Sequence, residues 1–348
     1  MAIVGARRAY RCKCGRPVFF PNSVCLGCGA ALGYEAKLGK LFRLTPGPAP
    51  DSWLLPRGSG AGRKTYRRCQ NLETAAACNW LIDDEQSLCL SCRLNRTIPD
   101  LSFPENAECW RRIEVAKRRL ASSLLAFGLR LDGIVFDLMR GVTTGHAGGV
   151  ITLNIEEAED SIRERVRVEL HEPYRTLLGH LRHETGHYYW DRLIAGSSWI
   201  EPFRALFGDE TVDYMQALQR HYQQGPPPNW PEHFVSAYAS VHPWEDWAET
   251  WAHYLHLVDT LETASSFRLA IDAVELPFES FMADSLAQPE APNAMEFLEL
   301  LNAWGRVTVV LNELSRSMGL PDFYPFVLSR DAVAKLHFVH SLLTSVHS

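Results

Sequence analysis

The sequence predicts an α+β protein in which small cysteine-built modules precede a larger, mostly helical domain with a small sheet. Three observations lead there. Eight of the nine cysteines lie within the first 92 residues, in two quartets that each end in a C-x-x-C pair. In several later stretches apolar residues recur at spacings of three and four, the period of helices packed on a core. One short stretch, Val150 to Ile155, is β-branched and alternating, as strands are.

Taking the elements in order, residues 1–44 carry Cys12, Cys14, Cys25 and Cys28, and residues 65–98 carry Cys69, Cys78, Cys89 and Cys92. Thiolates at C-x-x-C spacing converge on one tetrahedral Zn²⁺, so each quartet is expected to hold one structural zinc ion. Gly15, Gly27 and Gly29 suit the tight turns of such modules. The 40 residues between Cys28 and Cys69 favour sequential sites over cross-braced ones. Disulfides are the rival reading. Residues 1–11 are too few and too polar for a secretory signal, so a cytoplasmic setting is expected, and there clustered cysteines hold metal more often than they pair. Cys109 is left over and is expected to be a buried free thiol. Between the quartets, Pro46, Gly47, Pro48, Pro50, Pro56, Gly58, Gly60 and Gly62 mark residues 45–64 as a loop-rich linker.

Charge is uneven along the chain. Residues 1–100 hold fifteen Lys and Arg against seven Asp and Glu, and the rest holds twenty against thirty-four. A basic segment can be the footprint of nucleic-acid binding. Eight thiolates on two Zn²⁺, however, would cut its excess of +8 to about +4, and Arg7, Arg8, Arg63, Lys64, Arg67 and Arg68 are scattered between turns. Docking on an acidic catalytic domain of the same chain accounts for the charge equally well, and nucleic acid is not an expected partner. No run of about 18 apolar residues is present to span a membrane.

Residues 99–348 are expected to form the larger domain. The helical period runs from Cys109 to Phe127, and residues 145–149 form a turn before the Val150 strand. A further helix is expected over Tyr174 to Ala195, where no proline intervenes, with Pro173 suited to its first turn, Leu177, Leu178, Leu181, Leu193 and Ile194 as its apolar stripe, and Gly196 as its stop. It carries His183-Glu184-Thr185-Gly186-His187. Histidines four apart stand one turn apart on one face, so both imidazoles reach a single Zn²⁺. Glu184 is then placed to take a proton from the water such a metal activates. Gly186 costs about 1 kcal/mol of helix propensity relative to Ala, and close approach of another backbone is its expected return. His180 shares the face and is expected to be packed or solvated.

A catalytic zinc needs a third protein ligand. In Pro243 to His256, Trp244, Trp247, Trp251 and Leu255 recur at helical spacing, while Glu245, Glu249 and His253 fall on another face at i, i+4 and i+8. Glu245 is the expected ligand and Glu249 the acceptor that orients a ligand histidine. A solvated acidic face is the alternative, as is His253 or His256 in the ligand's place.

These residues carry a resemblance. His183 to His187, followed by Glu245-Asp246-Trp247-Ala248-Glu249, is similar to the gluzincin pattern, H-E-x-x-H with a glutamate ligand on a later helix. Gly179 to Trp190, Trp244 to His256 and the cysteine-rich N-terminus together resemble the bacterial zinc-binding metallopeptidase family that joins a zinc ribbon to a zincin domain. The resemblance covers nearly the whole chain. It implies a zincin-like fold, one catalytic zinc beside two structural ones, and peptide-bond hydrolysis with Glu184 as general base. Lethal-factor-like zincins and Pro-Pro endopeptidases carry a tyrosine seven residues before the ligand glutamate, and Tyr238 stands there. By that resemblance its phenol would help stabilise the oxyanion; an interface aromatic with a satisfied hydroxyl is the other reading. Glu245 lies 58 residues beyond His187, a departure from the shortest gluzincin spacing. Zincins often present an edge strand along the cleft, a role for which Val150 to Ile155 is a candidate; a buried interior strand fits its pattern equally well.

The remaining chain predicts a rigid loop at Gly225-Pro226-Pro227-Pro228, then helices over Asn302 to Met318 and Asp331 to Leu343, the last capped by Ser329. The expected function is that of a zinc-dependent hydrolase acting on a peptide or protein. A zinc amidase on a small or modified substrate is an alternative class, and a non-catalytic zinc-ribbon protein that binds protein or nucleic acid is another.

Overall fold

The computed structural model describes residues 8–169, 174–270 and 279–346. The chain divides into two units, Ile3–Val166 with Ser265–Arg268, and Arg167–Ala264 with Leu269–Ser348. Within the first unit, the strand at 95–97, just after the second cysteine quartet, hydrogen-bonds to a strand at 135–139 and ties the segment that follows to the cysteine modules.

In the cysteine-bearing unit, β1 (Tyr10–Arg11) pairs with β2 (Pro17–Val18), and β3 (Leu32–Glu35) pairs with β4 (Lys40–Arg43), both antiparallel. The expected linker is not all loop. β5 (Thr45–Pro46) and β6 (Trp53–Leu54) lie within it and join β7 (Thr65–Arg68) and β8 (Leu81–Ile82) in a four-stranded sheet. Its Pro and Gly residues punctuate turns between two-residue strands, which are too short to show an alternating pattern. The two cysteine modules are knit together. Tyr34 bridges to Trp80, the Asn79 amide donates to the carbonyls of Phe20 at 2.6 Å and Asn22 at 3.0 Å, and Tyr34 and Trp80 are both fully buried.

β9 (Asn95–Thr97), β10 (Val135–Met139), β11 (Gly145–Ala147) and β12 (Val150–Asn154) form a second four-stranded sheet in the order β11-β12-β10-β9. β12 is therefore an interior strand, parallel to β10 and antiparallel to β11, and the edge role is corrected. Residues 150–152 pair with a neighbour on each side, and Ile151 and Leu153 are fully buried. α1 (Pro104–Ala126) begins at a proline that suits a first helical turn and buries Cys109 and Trp110.

The chain passes from one unit to the other within α2 (Asp160–Glu169). Among its described residues the second unit has helices and no strands: α3 (Leu177–Leu193), α4 (Ile200–Phe207), α5 (Tyr214–Gln224), α6 (Trp230–His233), α7 (Pro243–Ser266), α8 (Ala294–Ser317) and α9 (Arg330–Val346). α3 starts later than expected. Thr176 caps it, its hydroxyl accepting the Gly179 N–H at 3.0 Å, while Pro173 lies outside the described residues. Residues 181–189 are buried without interruption, so the middle of α3 is enclosed on all sides. Trp247, Trp251, Phe203, Phe207 and Phe338 build an aromatic core around α7, with Phe203 and Phe207 stacked at 4.8 Å and the Trp247 and Trp251 rings tilted against each other at 5.6 Å. α9 is fastened to α7 by a buried pair, Lys335 Nζ to Asp246 at 2.6 Å. Ser329 caps α9 through the Ala332 N–H at 3.2 Å.

Candidate metal centre

Three side chains of the helical unit converge. His183 Nε2 and His187 Nε2 lie 3.2 Å apart, and Glu245 Oε2 is 3.0 Å from the first and 3.4 Å from the second. All three residues are buried. Bonds of about 2.0–2.1 Å in a tetrahedral zinc site place neighbouring ligand atoms about 3.3 Å apart, so the triangle has the size a zinc ion requires.

Hydrogen bonding sets its chemistry. His183 Nδ1 donates to Glu249 Oε1 at 2.7 Å, which turns the Nε2 lone pair toward Glu245. Two acceptors 3.0 Å apart repel unless a cation or a proton lies between them. Burial alone would lower the proton affinity of His183, but Glu245 and Glu249 outweigh it and hold the imidazole well above its usual range. Burial likewise opposes charge on Glu249, yet the bonds to His183 and Ser236 bring its carboxyl down to about 2. Ser236 Oγ donates to Glu249 Oε2 at 2.6 Å and accepts the Ala239 N–H at 3.1 Å, tying Glu249 to the short 3-10 turn Tyr238–Val241.

The approach of the two helices explains the convergence. A Cβ on Gly186 would meet Ala248 Cα at 3.0 Å, so the missing side chain lets α7 lie against α3 where the donors meet. The tryptophans and leucine placed on the core face are buried at 247, 251 and 255, and Trp244 instead lies over the His187 ring at 3.9 Å.

Glu184 is buried on α3, one residue from His183, and His180 Nε2 stands 3.4 Å from its Oε1. Its Oε2 makes no hydrogen bond among the described residues. Burial works against its charge, but His180 and the two neighbouring histidines outweigh it and keep the carboxyl below its usual range. Glu184 is therefore held as a carboxylate in the metal-free site.

The other predicted residues are placed as follows. Tyr238 is half-buried, its ring 6.0 Å from that of His183 and its hydroxyl beside that of Tyr214. His253 and His256 stand outside the triangle: His253 Nδ1 meets Tyr324 Oη at 2.6 Å, and His256 Nδ1 meets Arg182 at 2.6 Å. His146 belongs to β11, in the other unit, where its Nε2 accepts the Gly149 N–H at 3.2 Å. Two contributors escaped the sequence. Ser236 is one; Tyr214, whose hydroxyl donates to Glu245 Oε1 at 2.7 Å, is the other. Neither stands at a spacing that announces it.

The cysteines form two further clusters, Cys12, Cys14, Cys25 and Cys28, and Cys69, Cys78, Cys89 and Cys92. They are sequential, not cross-braced. Sulfur pairs are 3.7 Å apart for Cys12–Cys28 and Cys14–Cys25, and 3.6 Å for Cys78–Cys89. A tetrahedral site with zinc–sulfur bonds of about 2.3 Å separates its sulfurs by about 3.8 Å, whereas a disulfide brings them to about 2.0 Å. Gly15 and Gly29 adopt positive φ (85° and 70°) and return their N–H groups to the Cys12 and Cys25 carbonyls, closing the turns. Beside the second cluster, Glu114 Oε2 lies 4.0 Å from Cys92 Sγ, with Lys117 Nζ 2.5 Å from its other oxygen. Cys109 is a buried free thiol.

Comparison with known proteins assigns the metal. The family described as "Putative zinc-binding metallo-peptidase" matches residues 106–342, and a zinc-ribbon domain matches residues 9–103. The chain belongs to this zinc-binding metallopeptidase family. Proteins of Mycobacterium bovis and of two Mycobacterium tuberculosis strains, each named only as uncharacterized, are 41% identical over 355 residues, covering 97% of this chain and 96% of theirs. No solved structure matches. Family membership and the donor chemistry agree on zinc: thiolate quartets and a two-imidazole, one-carboxylate set are its customary ligands. Among the described residues, no helix of this family member is long and apolar enough to cross a membrane.

Proposed function

We propose that the protein is a zinc-dependent peptidase whose catalytic ion is held by His183, His187 and Glu245, with one structural zinc in each cysteine quartet. The observation that carries this reading is the triangle of two imidazole nitrogens and one carboxylate oxygen, with Glu184 on the same helix as both histidines. Zinc, when bound, acidifies water and polarises a carbonyl. Glu249 keeps His183 in the tautomer that presents Nε2 to the metal. Glu184 accepts the proton of the attacking water and passes it to the leaving amine. The buried surroundings of Glu184 and Glu245 exclude bulk water and strengthen both interactions. Tyr238 is the candidate donor to the developing oxyanion.

Glu184→Gln tests the assignment. The variant should keep its zinc and lose peptide hydrolysis by roughly 10²–10⁴-fold or more, the typical contribution of a general base. Cleavage of a peptide library at the wild-type rate by Glu184→Gln would remove Glu184 from the mechanism. Turnover of small amides without any peptide cleavage would replace the substrate class.

A further inference from the structure

We propose that Tyr214 is a positioning residue that restricts Glu245 to binding the metal through one oxygen. This rests on the assignment of His183, His187 and Glu245 as the zinc ligands. The two oxygens of Glu245 have different surroundings: Oε2 faces the two imidazoles at 3.0 and 3.4 Å, and Oε1 accepts the Tyr214 hydroxyl at 2.7 Å. The terminal torsion of a glutamate is soft and broad. A carboxylate free at both oxygens can swing to grip the ion with both, filling the position that the reacting water needs. A phenol bound to Oε1 prevents that swing.

The phenol is itself held firmly. Asp213 caps α5 by accepting the Gln216 N–H at 2.9 Å, which fixes Tyr214 in the first turn. The ring packs edge-on against His242 at 5.4 Å and Trp244 at 6.1 Å. His242 accepts the Trp244 N–H at 3.0 Å through Nδ1 and meets the Val212 carbonyl at 3.1 Å through Nε2. One histidine thus ties the chain just before Tyr214 to the first turn of α7, where Glu245 stands. Glu249 does for the imidazole of His183 what Tyr214 does for the carboxylate of Glu245.

The experiment uses the full-length chain with Tyr214→Phe, which removes one oxygen and keeps the ring. Metal affinity is measured by chelator competition at the site lost in His183→Ala, and the same site is loaded with cobalt(II), whose visible absorption weakens as coordination number rises. The expected result is an affinity about tenfold lower, the lower end of what losing a partner of a metal ligand costs, with weaker cobalt absorption and unchanged metal in the cysteine sites. Unaltered affinity and an unaltered cobalt spectrum would overturn the proposal. A double variant guards against a merely structural role: in a Glu245→Ala background Tyr214→Phe should cost nothing more, and an equal further loss would also overturn it. If instead the wild-type chain and His183→Ala carry the same metal content, the ligand assignment itself fails, a result visible before Tyr214 is touched.

Discussion

The indole Nε1 of Trp247 donates to the carbonyl of Gly186 at 2.8 Å. Gly186 lies between the two motif histidines and Trp247 two residues beyond Glu245, so this one bond joins the helix with two metal-facing nitrogens to the helix with the carboxylate. It forms because Gly186 has no side chain; an added Cβ would meet Ala248 Cα at 3.0 Å and Trp251 Cδ1 at 3.2 Å. Gly186→Ala should therefore push α7 away from α3 by tenths of an ångström. Its overpacking cost of about 1–3 kcal/mol is partly offset by about 1 kcal/mol of helix propensity. Stability should fall by no more than about 2 kcal/mol while zinc affinity at the histidine site falls at least tenfold. Urea unfolding beside a zinc competition assay checks both, and retained affinity would argue against the helix contact as the device that sets the triangle.

Glu249→Ala removes the acceptor of the His183 Nδ1 proton and frees the ring to change tautomer. Zinc affinity at this site should drop by about 10–100-fold, while the cysteine zincs stay bound. Ser236→Ala, one hydrogen bond further from the metal, should have the smaller effect of the two. Equal losses in the two variants would place the orienting role on the 3-10 turn instead of Glu249.

Zinc uptake should depend on pH with a definite sign. In the metal-free protein, burial opposes protonation of His183, but Glu245 and Glu249 raise its proton affinity well above the usual range. Near neutral pH the ion must then displace a proton, and affinity rises as pH rises toward the folded-state pKa of His183. Below the ordinary histidine range the proton wins and zinc is lost. Calorimetry in buffers of different ionisation enthalpy should detect proton release on zinc binding at pH 7; no release would mean that His183 is neutral before the metal arrives.

What the sequence revealed and what it hid follow one physical line. Helical period places residues four apart on one face whatever the tertiary fold, so His183 with His187 and Glu245 with Glu249 were legible as pairs. Gly186 was legible as a point of close approach for the same reason. Tyr214 and Ser236 act through contacts 31 and 13 residues distant in sequence, and no spacing rule encodes such pairings. The two-residue strands β5 and β6 are too short to alternate, so the proline and glycine turns around them dominated the sequence signal. The interior place of β12 depends on β9 and β10 as neighbours, which a strand's own residues do not specify.

The most direct test of the metal assignment is zinc content in the full-length chain and in a His183→Ala/His187→Ala double variant, by elemental analysis against protein concentration. Three zinc ions per chain falling to two in the variant is the predicted result. Two ions in both proteins would contradict it, because His183, His187 and Glu245 would then hold no zinc.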